Sequence, residues 1–129
     1  MSVLVTGGAG YIGSHMVLAL ADANEKVVVL DNLSTGLRSA VDQRAIFVEG
    51  DIADVELVSS LFAQHDVQAI VHFAGSIIVP ESVSDPLKYY FNNTAKTRAL
   101  IDTAVQKGIP HFVFSSTAAV YGMPERVPV

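Results

Sequence analysis

The chain has 129 residues, half of them apolar and 16% charged, with a formal net charge of -5 and no cysteine. That balance excludes a disordered segment, a disulfide framework and a thiolate metal site, and eight scattered Lys and Arg offer no basic stripe to nucleic acid. No basic leader precedes an apolar run and no apolar run is long enough to span a membrane, so neither secretion nor insertion is expected and a reducing cytoplasm fits.

Short β-branched runs alternate with helical stretches along the whole chain. Val3 to Thr6 reads as a first strand, followed by glycines and a helix from about Tyr11 to Ala23. Further strands are predicted at Lys26 to Leu30, Arg44 to Glu49, Ala69 to Phe73 and His111 to Ser115. These runs are continuously apolar rather than alternating, as expected when helices cover both faces of a parallel sheet. Between the third and fourth strands, Asp54 can cap a helix whose Leu57, Val58, Leu61 and Phe62 share a face. Between the fourth and fifth lies one long helix, with Asp85 as N-cap candidate and Pro86 in its first turn. Leu87, Tyr90, Phe91, Thr94, Ile101, Ala104 and Val105 recur along it at helical spacing, and Gly108 and Pro110 end it. The pattern predicts an α/β fold with a doubly wound parallel sheet in the order 3-2-1-4-5.

The strongest local signal is Thr6-Gly7-Gly8-Ala9-Gly10-Tyr11-Ile12-Gly13-Ser14. It holds G-x-G-x-x-G at Gly8, Gly10 and Gly13, and G-x-x-G-x-x-G at Gly7, Gly10 and Gly13. One glycine is needed for the tight turn out of the strand and another for close approach of backbone to a pyrophosphate. Gly13 is expected to let the helix pack tightly on the strand. A glycine-rich turn alone is a weak sign. Here it follows a predicted strand, opens a helix, and is followed eighteen residues after Gly13 by Asp31, at the end of the second strand. That is near the place of the carboxylate that takes the adenosine ribose hydroxyls of a dinucleotide in a Rossmann domain. A carboxylate there repels a 2′-phosphate, which favours NAD over NADP. Arg38 is the counter-argument, its plainer role being a solvated loop arginine.

Several stretches occur in one order: Gly7 to Ser14, Asp31-Asn32-Leu33-Ser34-Thr35-Gly36, Gly50-Asp51-Ile52, His72-Phe73-Ala74-Gly75, Phe91-Asn92-Asn93, and Phe114-Ser115-Ser116-Thr117-Ala118-Ala119-Val120-Tyr121-Gly122. Together they resemble the extended short-chain dehydrogenase/reductases, in the branch of NAD-dependent epimerases and dehydratases acting on nucleotide sugars. The resemblance implies that residues 1–129 are an NAD-binding Rossmann domain. Gly7, Gly10, Tyr11, Ile12 and Gly13 would then hold the pyrophosphate, and Asp31, Asn32, Leu33, Ser34, Thr35 and Gly36 would wrap the adenosine ribose. Asp51 and Ile52 would meet the adenine, where the carboxylate can accept from the exocyclic amine; the plainer alternative for Asp51 is a loop carboxylate or a helix cap. Phe73, Ala74 and Gly75 would let the cofactor pass close. Asn92 would reach the cofactor side unless it is simply bonded locally, and Thr117 would be catalytic, bonding the reacting hydroxyl of a UDP-sugar. His72 is expected to be packed, and His15, His65 and His111 have no metal-ligand spacing with it, so no metal is expected. The implied reaction is epimerisation at C4 of the hexose of UDP-glucose or UDP-galactose, through a 4-keto sugar, by a homodimer paired through helices that include the long one.

Two departures qualify this. The family's base is a tyrosine with a lysine four residues on, but the residues four beyond Tyr11, Tyr89, Tyr90 and Tyr121 are His15, Asn93, Thr94 and Glu125. The chain is therefore expected to lack a sixth strand, the catalytic pair and a sugar-binding region, to be inactive alone, and to expose apolar surface where they would dock. Tyr121 itself reads as a packed turn residue. Ile77 stands where some members carry lysine. A sister dehydratase or decarboxylase, and a non-catalytic NAD-binding sensor, remain open alternatives.

Overall fold

The computed structural model describes residues 1–117, 120, 122–123 and 125–126. Five strands form the sheet: β1 (Ser2–Thr6), β2 (Val27–Asp31), β3 (Ile46–Glu49), β4 (Val67–His72) and β5 (His111–Phe114). All neighbours are parallel, and the order is β3-β2-β1-β4-β5, as the sequence predicts. The third strand is shorter than expected. Arg44 and Ala45 belong to a turn in which the Ala45 N–H donates to the Asp42 carbonyl, and the Arg44 guanidinium reaches Asp42 and Asp22.

Alternation along the central strands builds two cores, one on each face. Leu4, Val28, Leu30 and Ile70 point one way, against Val58, Leu61 and Phe62 of α2 (Val55–His65) and against Leu100 and Ala104. Val5, Val27, Val29 and Val71 point the other way, against Val17 of α1 (Tyr11–Asp22) and against Val41 and Ala45. Burying each large aliphatic side chain is worth about 1.5–3 kcal/mol, so these paired cores fix which strand ends lie side by side. Asp54 caps α2 as expected, its carboxylate accepting from the Leu57 N–H at 3.0 Å.

The long helix between β4 and β5 differs from the sequence expectation. It is α3 (Val79–Ser84), α4 (Pro86–Tyr89), a π-helical segment (Tyr90–Ala95) and α5 (Lys96–Gln106). Asp85 does cap α4, accepting from the Lys88 N–H. The face that packs is Leu100, Thr103 and Ala104. Of the seven residues at helical spacing, only Ala104 is buried; Val105 is 72% exposed, and Leu87, Tyr90, Phe91 and Ile101 are also open. The π-helical segment changes the angular phase midway, so one periodic stripe cannot face the sheet along its whole length. On the opposite face no described helix covers β5, and Val113 is 56% exposed there. No described helix is long and apolar enough to cross a membrane.

Candidate functional site

The carboxyl ends of β1, β2, β3 and β4 converge on the glycine turn between β1 and α1. Gly7 has φ +70, and a Cβ there would lie 2.6 Å from the Ala74 nitrogen and 2.8 Å from the Phe73 carbonyl carbon. The turn and the segment after β4 are thus in direct backbone contact, and a side chain at Gly7 would separate them. A Cβ on Gly13 would meet the Gly7 carbonyl oxygen at 2.1 Å and the Gly8 Cα at 2.8 Å, so α1 seats on the turn itself rather than on the strand. Gly8 faces inward, where a Cβ would strike Val29. The two overlapping motifs differ in their first glycine: Gly8 is buried, whereas Gly7, like Gly10, is partly exposed. Gly10 is the N-cap of α1 and contributes no side-chain cap, while Tyr11 and Ile12 are exposed. The first backbone N–H groups of α1 lack intrahelical acceptors, and the helix dipole is positive at this end.

Asp31 stands beside the turn. Its Oδ2 accepts from the Ala9 N–H at 2.9 Å and its Oδ1 from the Leu33 N–H at 2.8 Å. Each carboxylate oxygen retains a second acceptor site, so a pair of ribose hydroxyls can still be taken. The 31–36 loop is stitched to the turn a second time, because the Leu37 N–H donates to the Ala9 carbonyl at 3.0 Å. At Gly36 a Cβ would touch Ala9 atoms at 2.8 Å. Leu33 adopts φ 55, an uncommon conformation for a branched side chain, and leans on the α1-side core. Asn32, Ser34 and Thr35 are exposed along the rim, where Asn32 Oδ1 accepts from the Ser34 N–H. Arg38 is exposed, as expected, with its guanidinium 4.4 Å over the Phe47 ring.

Asp51 follows β3. Its Oδ1 accepts from the Ala53 N–H at 2.9 Å and its Oδ2 from Lys96 Nζ. Burial pushes its carboxyl up, but Lys96, the Ala53 N–H and the Asn32 amide outweigh that and hold it below the ordinary carboxylate value. The Ile52 side chain is buried in the core, leaving only its backbone to meet a ligand. Lys96 had no signal in the sequence, since its contact spans 45 residues.

Behind the cleft, His72 is packed as expected. Its Nδ1 shares a proton with Thr6 Oγ1 at 2.6 Å and its Nε2 with Thr97 Oγ1 at 2.9 Å. Burial lowers its pKa to about 4. Among the described residues, no group of three His, Asp or Glu is placed to hold a metal ion.

Asn92 and Asn93 lie in the π-helical segment and both grip Ser76. The Asn92 amide donates to Ser76 Oγ at 2.8 Å. Asn93 accepts from the Ser76 N–H at 2.7 Å and donates to its carbonyl at 2.8 Å. Asn92 therefore orients the segment after Gly75 rather than meeting the glycine turn. The Ile77 side chain projects from that segment into the open. Thr117 lies three residues beyond β5 and is exposed, its carbonyl accepting from the Val120 N–H at 3.1 Å. Tyr121 falls outside the described residues, as do Ala118 and Ala119. The glycine turn, the 31–36 loop, Asp51 and the 73–75 segment are thus drawn together, while Asn92 is engaged with Ser76.

Residues 3–129 match the NAD dependent epimerase/dehydratase family. A UDP-glucose 4-epimerase of Lacticaseibacillus casei is 56% identical over the whole chain, which covers 39% of that relative. The crystal structure of UDP-glucose 4-epimerase from Brucella ovis in complex with NAD aligns over 99% of this chain, with a TM-score of 0.91 and 46% identity, covering 39% of that chain. The Bifidobacterium longum UDP-glucose 4-epimerase, in complex with NAD+ and UDP, aligns over the full chain at a TM-score of 0.91 and 33% identity, covering 41% of it. This chain thus spans about two fifths of the length of these proteins. The glycine turn, the carboxylate beside it, the sheet order and the match along nearly every residue agree: the chain belongs to the NAD dependent epimerase/dehydratase family.

Proposed function

We propose that residues 1–129 form the NAD-holding domain of an enzyme that epimerises C4 of UDP-glucose and UDP-galactose. The observation that carries this is the conjunction of bare α1 N–H groups, the Gly7, Gly10 and Gly13 cradle and the Asp31 carboxylate. The cradle fits the group: side chains at Gly7 or Gly13 would fill the turn, and Asp31 keeps acceptor capacity for two hydroxyls. In this assignment Gly7, Gly10, Tyr11, Ile12 and Gly13 hold the pyrophosphate, and Asp31 to Gly36 hold the adenosine ribose. Asp51 and the Ile52 backbone receive the adenine, and Phe73, Ala74 and Gly75 line the passage toward the nicotinamide. Asn92 supports that passage through Ser76. When bound, NAD supplies a reversible hydride acceptor for the sugar carbon. Asp31, facing any 2′-phosphate with a negative charge, selects NAD over NADP.

Thr117, beyond the end of β5, is assigned the hydrogen bond to the reacting sugar hydroxyl. The proton itself needs a base, and no tyrosine here has a lysine four residues on. We assign that pair, and the sugar pocket, to a segment outside residues 1–129. The relatives' greater length supports this, as does the Brucella ovis and Bifidobacterium longum enzymes' binding of NAD, and of UDP in the latter. The exposed Ile101 and Val105 of α5 suit pairing of two copies, and we place the enzyme, cysteine-free over this region, in the cytoplasm.

The test is conversion of UDP-galactose to UDP-glucose by the protein at its relatives' full length, beside residues 1–129 alone. Turnover is expected from the former and none from the latter. Clear turnover by residues 1–129 would overturn the placement of the base.

A further inference from the structure

Lys96 opens α5 directly after the π-helical segment, and the cofactor assignment above gives it no task. It is nonetheless only 17% exposed, with its ammonium on Asp51 Oδ2 and 5.4 Å from the Phe91 ring centroid. A lysine pays to leave water, and a partner across 45 residues of chain is a specific arrangement rather than a local surface pair. Asp51 meanwhile receives one donor on each oxygen, the Ala53 N–H on Oδ1 and Lys96 on Oδ2. These come from its own loop and from α5. They leave the carboxylate no freedom to rotate about its last bond, while its unused lone pairs remain able to accept.

The position matters because Asp31, Asn32 and Asp51 lie in series away from the glycine turn. With pyrophosphate at α1 and ribose at Asp31, the base lies at Asp51. We propose that Lys96 is a positioning residue for base selectivity: it holds the Asp51 carboxylate so that it accepts from the exocyclic amine of adenine and repels a purine with an oxo group there. This rests on the NAD assignment above. An oxygen facing a fixed carboxylate pairs two acceptors with no proton between them, and a carboxylate able to turn aside relieves that conflict. Fixing the carboxylate therefore converts a tolerant contact into a discriminating one.

The experiment titrates NAD and nicotinamide hypoxanthine dinucleotide into wild-type chain, Lys96→Met and Lys96→Arg, with thermal unfolding of each. Wild type is expected to favour NAD by about tenfold or more. Lys96→Met should weaken NAD, tighten the hypoxanthine form and so erase most of the preference of about tenfold, while Lys96→Arg should retain it. Lys96→Gln carries the same comparison should Lys96→Met fail to fold. A lower melting temperature with the base preference intact would reduce Lys96 to an ordinary ion pair and overturn the proposal. So would a wild type that binds both dinucleotides equally. A wild type that binds neither fails before any substitution is made, and brings down the NAD assignment together with this proposal.

Discussion

His72 makes stability depend on pH between the neutral range and about pH 4. Burial lowers its pKa from 6.5 to about 4, and the ring is held neutral between Thr6 and Thr97. The folded state therefore prefers the unprotonated ring. Its contribution is complete above 6.5, is lost as pH falls toward and through about 4, and does not change further below that. Between about pH 7.5 and about pH 5 the linkage amounts to about 2 kcal/mol, from the tenfold-per-unit cost of protonating the unfolded but not the folded ring. The carboxyls of Asp51, Asp66 and Glu81 are held below their ordinary values, so they begin to report only at lower pH. Urea unfolding at the two pH values measures this directly. Wild type should lose about 2 kcal/mol on acidification, and His72→Asn, which keeps a polar group but no titrating ring, should lose correspondingly less. Parallel pH slopes for the two proteins would refute the reasoning, whatever the absolute stability of the variant.

Other substitutions test the cleft and its supports. Gly13→Ala would put a methyl 2.1 Å from the Gly7 carbonyl oxygen, against backbone that no rotamer change can clear. It should destabilise by about 2–4 kcal/mol in thermal unfolding and abolish NAD binding in the same preparation. Asp31→Ser should weaken NAD by about tenfold while weakening NADP little, read by titration of both, because it removes the ribose acceptor and the charge opposed to a 2′-phosphate. Asp54→Ala should cost about 1 kcal/mol in urea unfolding through the lost cap on the Leu57 N–H.

The sheet was legible because buried parallel strands must be continuously apolar, so Val27 to Leu30 and Ala69 to Val71 announce themselves. The glycine turn and Asp31 were legible because their chemistry is local: a tight turn, a helix start and a carboxylate at the next strand end. What escaped is what space rather than sequence brings together. The π-helical break and the grip of Asn92 and Asn93 on Ser76 reach back across 16 and 17 residues, and periodicity alone reads that stretch as one helix. Of the apolar stripe only Ala104 faces the core, beside Leu100 and Thr103, because the break shifts the phase. Lys96 is an unremarkable helical lysine until folding sets it on Asp51. The bond by which Asp31 also ties its own loop to the Ala9 N–H has no mark in the sequence.

The most direct test of the central claim is calorimetric titration of NAD and NADP into the wild-type chain. One site is expected, filled by NAD at an affinity about tenfold or more above that for NADP. No heat with NAD, or equal binding of the two, would contradict the assignment of Gly7, Gly10, Gly13 and Asp31 as its holding surface.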